Sequence, residues 1–289
     1  MKDVVTRFAP SPTGRLHLGH AYSAVLAHNF ARERGGMFLL RIENIDPGRA
    51  RVEHVDGIIE DLTWLGLTFD GEIVYQSERL PLYAEALERL REMGLVYPCF
   101  CTRAVIAREV AASAAAPHGP DGPIYPGTCR RLSAEERASR TQTEPHAWRL
   151  DVTRAVALAG PLHWRDGDME IEAAPKMFGD VVLARKDAPV SYHLAVTVDD
   201  AAQGVSDVVR GRDLFASTHV HRLLQHLLGL PVPHYRHHAL LSGPDGKRLA
   251  KRNGAPALAE LRAAGIEPRK LVEDLQYGIL AAGYSVAAP

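Results

Sequence analysis

Residues 4–34, VVTRFAPSPTGRLHLGHAYSAVLAHNFARER, constrain the fold more than any other segment. The short β-branched run ending at Phe8 leads into Pro10 and Pro12, which fix φ and remove two backbone donors. Beyond them Ala21, Val25, Leu26 and Phe30 recur at helical spacing, and Gly35 with Gly36 stops the pattern. A strand, a stiff turn and a helix in that order open a βα unit. The alternation continues: MFLLRIE (37–43) predicts a buried strand, a helix follows from Arg51 to Leu65, and Ser77 opens another that closes at Gly94. Strands separated by helices of this length predict an α/β fold with a Rossmann-like parallel sheet, and ligands at the carboxyl ends of its strands.

The pattern breaks at Tyr97. Residues 99–130 hold all three cysteines, four prolines and an alanine-rich run. Strand-like AWRLDV, MEIE and DVVLAR come next, which predicts an irregular or β insertion without regular helices. PVSYHLAVTVDD predicts a return to a buried strand, STHVHRLLQHLLG a helix capped by Ser217, and the tail from Ala255 an amphipathic helical region. The expected division is a split catalytic domain at 1–98 and 190–240, an insertion at 99–189, and a loop with a helical tail at 241–289.

Composition adds exclusions. No apolar run approaches the ~20 residues of a membrane span, and MKDVVTRF lacks the sections of a secretory signal, so a cytoplasmic protein with no membrane partner is expected. The net charge of −1 announces no global field for nucleic acid, although Arg130–Arg131, Arg210 with Arg212, and KRLAKR (247–252) are local basic clusters. Three cysteines in such a chain argue against a disulfide framework.

The loop SPTGRLHLGH carries the first chemical signal. Gly14 and Gly19 allow close backbone approach, and His17 and His20 flank Gly19 where the helix begins. Free N–H groups and a partial positive charge at a helix N-terminus favour phosphate, and imidazoles there can donate to phosphoryl oxygens. The reading is a nucleoside triphosphate site.

TRFAPSPTGRLHLGHA, RIENID, YQSERLPLYAEALERL, DDAAQGVSDVVRGRDL and GKRLAKRNG together, in this order from about residue 4 to about 255, resemble the catalytic region of class I glutamyl-tRNA synthetases. HLGH stands at the family's HIGH motif and RLAK at its KMSKS-type loop. The resemblance implies ATP with Mg2+, and His17, Gly19, His20 and Lys251 on the phosphates, with Ala250 where the family has serine. It implies L-glutamate bound by Arg7, Phe8, Ala9, Pro10, Ser11, Glu43, Tyr192 and Arg210. Val196 stands where full-length relatives carry asparagine, which predicts weaker glutamate binding.

Only about forty residues follow KRLAK, so no anticodon-binding domain is expected. The nearest resemblance is to the family's truncated branch, which activates glutamate without tRNA and attaches it to queuosine in the anticodon of tRNA(Asp). A monomer is expected. The competing readings are a glutamyl-tRNA synthetase fragment charging a tRNA 3′ end, and a non-catalytic zinc-containing RNA-binding module.

Cys99, Cys101 and Cys129 supply three thiolates where structural Zn2+ wants four tetrahedral ligands. Ligand chemistry alone points to His118 as the fourth. The resemblance implies Tyr125, four residues before the last cysteine.

Overall fold

The computed structural model describes residues 3–112, 118–120, 122–243, 249, 256–280 and 284–287. Strand β1 (Val5–Phe8) pairs in parallel with β2 (Met37–Ile42), and β2 with β3 (Val74–Tyr75). On the other side of β1 lies the strand Asp207–Gly211. There the Ser206 N–H donates to the Val5 carbonyl at 3.0 Å, and the Val5 N–H to Ser206 Oγ at 2.8 Å. Asp207–Gly211 pairs in parallel with His234–His238. All four residues of β1 are buried, as a strand covered on both faces requires.

Helix α1 (Leu18–Arg32) crosses β1 and Asp207–Gly211, burying Ala21, Ala24 and Val25 against Phe38, Leu40 and Ile42 of β2. Helix α2 (Val52–Trp64) adds Ile58 and Leu62 to the same core. A second core joins α3 (Leu80–Glu92) to the helices Tyr192–Ala202 and Ser217–Leu227 through Tyr83, Leu90, Leu194, Val220 and Leu223.

Several expectations need correcting. PVSYHLAVTVDD is not a strand: Tyr192–Ala202 is an α-helix whose residues from Leu194 to Asp200 are all buried. An apolar run buried on every side carries no amphipathic period, so helix and strand look alike in the sequence. The insertion is not free of helices. Arg103–Ala112, Ala134–Thr143 and Val152–Ala159 are helical, the second opened by a reciprocal Ser133–Glu136 capping box and the third by the Asp151 carboxylate on the Arg154 N–H. Its predicted strands do form, at Ala147–Leu150, Met169–Glu172 and Val182–Ala184.

Ser77 lies in a 3-10 turn, Gln76–Glu78, and α3 starts beyond it, because Pro81 has no N–H to return to the Ser77 carbonyl. Ser217 is the first residue of its helix and makes no capping bond. The tail forms two helices, Leu258–Ala263 and Pro268–Gln276.

The hairpin His163–Asp166/Met169–Glu172, inside the 99–189 span, adds to the edge of the catalytic sheet: Asp166 pairs in parallel with Tyr235. No helix among the described residues is long and apolar enough to cross a membrane.

Candidate active site

Phe8, Gly211 and His238, at or near the carboxyl ends of their strands, and Glu43 just past β2, border one cavity of about 690 Å³. It lies where chain order reverses across the sheet, between β1 and Asp207–Gly211, the expected place for a ligand in such a fold. Arg7, Ala9, Pro10 and Ser11 line it along the exit from β1, and Tyr192 and Arg210 from the second half of the chain. His17, Gly19 and His20 line it at the start of α1. Lys251 and Ala250 lie outside the described residues. The flanks of their loop are anchored nearby: Leu249 lines the cavity, and the Leu258 N–H donates to the Leu16 carbonyl at 2.9 Å.

His17 is the N-cap of α1 and its Nδ1 accepts the Gly19 N–H at 3.1 Å. The His17 N–H donates to His20 Nδ1 at 3.2 Å, a capping box built from two imidazoles whose ring centres stand 3.8 Å apart. Each Nδ1 is thereby an acceptor, so a neutral ring carries its proton on Nε2. Space beside Gly19 is tight: a Cβ there would stand 3.0 Å from His17 Cε1 and 3.2 Å from its Nδ1.

Beneath the exit from β1 runs a buried ionic network that the sequence reading did not identify. Arg7 Nε donates to Asp200 Oδ1 at 3.0 Å, and Arg41 Nη1 reaches the same oxygen at 2.8 Å. Arg41, with no exposed side-chain surface, also stands 3.4 Å from Glu43 Oε1 and 3.8 Å from Asp199 Oδ2. Asp199 accepts in addition from Gln76, Arg79 and Tyr83. Burial would raise the Asp200 carboxyl, but the Arg7 and Arg41 charges outweigh it and hold it below the usual range. Burial pushes the Glu43 carboxyl up, with Arg41 and Arg7 pulling against it. Two adjacent acids inside an apolar run, VTVDDAA, were the available signal, since carboxylates are buried only when paired.

Arg210 is the exception to this pairing. It is only 4% exposed, and its bonds go to neutral groups: Nε to His237 Nε2 at 3.1 Å, Nη1 to the Tyr192 hydroxyl at 3.3 Å, Nη2 to Thr218 Oγ1 at 2.6 Å and to the Leu214 carbonyl at 3.1 Å. Among the described residues it has no carboxylate partner. A buried guanidinium so placed, on the wall of a cavity, can receive an anionic group. Val196 is buried and is not part of the cavity wall.

The Sγ atoms of Cys99, Cys101 and Cys129 lie within 4.8 Å of one another, with Cys101 and Cys129 3.5 Å apart. The Tyr125 oxygen is 3.5 Å from Cys101 Sγ and accepts the Cys129 N–H at 2.9 Å. Tetrahedral zinc–thiolate bonds of about 2.3 Å place sulfurs about 3.8 Å apart, so the donor set fits a zinc ion. Burial pushes the Cys101 thiol up to about 11, the cost that a bound cation would offset. The backbone of His118 pairs with Pro123, and its side chain lies outside the description.

A family model described as tRNA synthetases class I (E and Q), catalytic domain, matches residues 3–285. The chain is 51% identical over 271 residues to the glutamyl-Q tRNA(Asp) synthetase of Rhodobacter capsulatus, covering 92% of this chain and 97% of that one. It is 46% identical to the protein of the same name from Symbiobacterium thermophilum, covering 94% and 85%. Among solved structures, a glutamate tRNA ligase from Elizabethkingia meningosepticum in complex with its amino acid superposes with a TM-score of 0.81 at 26% identity. The match covers 96% of this chain and 61% of that one.

Proposed function

The chain belongs to the class I (E and Q) tRNA synthetases and is a ligase, and from this premise we propose that it activates L-glutamate with ATP and transfers it to queuosine in the anticodon of tRNA(Asp). The observation that carries the amino-acid half is Arg210, a buried cation on the wall of the shared cavity that has no carboxylate partner among the described residues. Arg7, Arg41, Asp200 and Glu43 balance one another. Among the described residues of the cavity wall, which also include Arg49 and Asp213, Arg210 is the buried cation whose bonds go to neutral groups, suited to a carboxylate of glutamate. Glu43, which lines the cavity, would take the ammonium, and Arg210 with Tyr192 a carboxylate. Arg7, Phe8, Ala9, Pro10 and Ser11 would form the wall between them.

Class I synthetases use ATP and Mg2+. In the proposed reaction a glutamate α-carboxylate oxygen attacks the α-phosphorus, the bond to pyrophosphate breaks, and no protein nucleophile is needed. His17 and His20 would donate from Nε2 to phosphoryl oxygens as charge grows on them, aided by the N-terminus of α1 and by Lys251. Glutamyl-adenylate forms without tRNA. A queuosine hydroxyl then attacks its carbonyl carbon and AMP leaves. The queuosine acceptor is supported by relatives of that name that this chain matches over 85–97% of their length.

The insertion and the tail, 99–189 and 241–289, would hold the RNA beside the catalytic domain at 1–98 and 190–240. Zinc on Cys99, Cys101, Tyr125 and Cys129 would pin the end of the strand Val96–Cys99 to the 3-10 turn Thr128–Arg131.

The test supplies ATP, labelled glutamate and, separately, tRNA(Asp) with queuosine, tRNA(Asp) without it, and tRNA(Glu). Label on the queuosine-bearing tRNA alone is the expected result. Label on tRNA(Glu) would overturn the acceptor, and no glutamate-dependent ATP–pyrophosphate exchange would overturn the activation step.

A further inference from the structure

The chemistry above leaves Asp166 and His237 unused, although both are buried beside Arg210. Asp166 ends the strand His163–Asp166, contributed by the insertion, and is 5% exposed. Its Oδ1 accepts both the backbone N–H of His237 at 2.9 Å and Nδ1 of the same residue at 3.0 Å. That contact puts the imidazole proton on Nδ1 and leaves Nε2 as an acceptor, which takes the Arg210 Nε–H at 3.1 Å. The His237 ring has no exposed surface and is boxed in by Tyr235, stacked at 6.0 Å between centres, and by Phe215 at 5.2 Å and Trp164 at 5.9 Å, both edge-on.

We propose that Asp166 and His237 are positioning residues that set the substrate selectivity of Arg210: they hold its guanidinium through a neutral acceptor, so that its charge is answered only by a carboxylate of the ligand. A carboxylate in direct contact with Arg210 would have given equal rigidity, as Asp200 gives Arg7, but would have neutralised the receptor. Separating acid from guanidinium by one imidazole keeps the orientation and spares the charge. The ring stays neutral in this role because burial, and then the Arg210 charge, hold His237 down at about 2. Thr218 completes the arrangement, its hydroxyl lying 2.6 Å from Arg210 Nη2 and 3.3 Å from His237 Nε2. The consequence for function is that a strand of the insertion fixes the selectivity of the amino-acid pocket.

This inference rests on the assignment of Arg210 to a glutamate carboxylate, and the experiment separates the two. Glutamate-dependent ATP–pyrophosphate exchange is measured for the full chain as wild type, His237→Leu, His237→Gln, Asp166→Leu and Asp166→Asn, with KM for glutamate and for ATP and the preference for glutamate over glutamine.

His237→Leu and Asp166→Leu are expected to raise the glutamate KM at least tenfold and to erode the preference by a similar factor, with the ATP KM within twofold. His237→Gln and Asp166→Asn, which restore an acceptor oxygen, are expected to return the glutamate KM to within threefold of wild type. A glutamate KM within twofold of wild type in both leucine variants would overturn the inference. So would an equal loss in kcat and both KM values without rescue by the polar variants, which marks a purely structural role. A wild type that does not exchange with glutamate at all would overturn the parent assignment and this inference with it.

Discussion

Substituting Gly19 by alanine tests the imidazole pair with little disturbance elsewhere. The new Cβ would meet His17 Cε1 at 3.0 Å and Nδ1 at 3.2 Å, inside the roughly 3.5–4.0 Å of an ordinary carbon contact. The ring must yield by a few tenths of an ångström, and it is pinned on its other side by His20, with ring centres 3.8 Å apart. Its Nδ1 contact with the Gly19 N–H, 3.1 Å, lengthens or breaks.

For stability two effects oppose each other. Loss of the cap costs roughly 0.5–2 kcal/mol, and alanine gains at most about 1 kcal/mol over glycine in a helix. The net change is about 1 kcal/mol or less, a shift of roughly 2–4 °C in melting temperature for a chain of this size. For catalysis there is no such offset. Displacing a donor aimed at developing phosphate charge costs about 10²-fold, close to 3 kcal/mol of barrier. Gly19→Ala is therefore expected to lower kcat of ATP–pyrophosphate exchange about 10²-fold. Its glutamate KM should stay within twofold, because Arg210 and Glu43 are untouched, and its melt should be nearly that of wild type. A variant with kcat within threefold of wild type and an unchanged melt would refute the role given to the imidazoles.

Arg210→Lys keeps the charge but loses the fork, and with charge-assisted bonds worth roughly 1.5–3 kcal/mol each its glutamate KM should rise about 10²-fold in the same assay. Asp61, on α2 and 2% exposed at its side chain, is paired with Arg262 at 3.3 Å, and burial pushes its carboxyl up to about 6 against the Arg262 charge. The folded value lies above that of the unfolded chain, so the stability linked to this proton is fully present below the unfolded value of 3.8 and is lost as pH rises from there through about 6. The ionised form costs up to about 3 kcal/mol. Asp61→Asn should gain more in melting temperature over wild type at pH 8 than at pH 4.5, and equal differences at both pH values would contradict the burial argument. Purified without chelator, the protein should hold one zinc per chain by elemental analysis, and Cys129→Ser should lose it together with at least 2 kcal/mol of stability in urea titration; metal-free wild type with an identical melt would remove the zinc assignment.

What the sequence made legible follows from the range of the interactions. The segment from β1 through α1 to β2 was readable because prolines, glycines and period-3.6 apolar residues act locally, and the structure places strand, turn and helix within two residues of the expected bounds. His234–His238 and Asp207–Gly211, by contrast, were not recognised as strands. HYRHH has no β-branched residue, and it is a strand because Asp207–Gly211 on one side and Asp166 on the other supply its hydrogen-bond partners. Tyr192–Ala202 was misread for the complementary reason, its burial on all sides having erased the period that distinguishes helix from strand.

The site divides along the same line. Residues that face the cavity belong to motifs, and their chemistry could be named from type and spacing. The groups that hold them in place are distant in sequence: Arg7 meets Asp200 across 193 positions, Gln76 meets Asp199 across 123, and His237 meets Asp166 across 71. No local pattern encodes such pairs. The nearest hint is that an acid in an apolar run needs a partner somewhere. The pairs also bear on how the protein can be divided. Asp166 lies within the span read as an insertion, yet its carboxylate orients a ring of the catalytic sheet, and its strand shares a hydrogen-bonded edge with His234–His238. A deletion that removes 99–189 as a unit would take away Asp166, the carboxylate that orients the His237 acceptor of Arg210 Nε, and open the sheet edge. If residues 163–172 were kept and only the zinc-bearing portion deleted, glutamate activation should survive while transfer to RNA fails. That outcome separates the part of the insertion that serves the amino acid from the part that serves the tRNA.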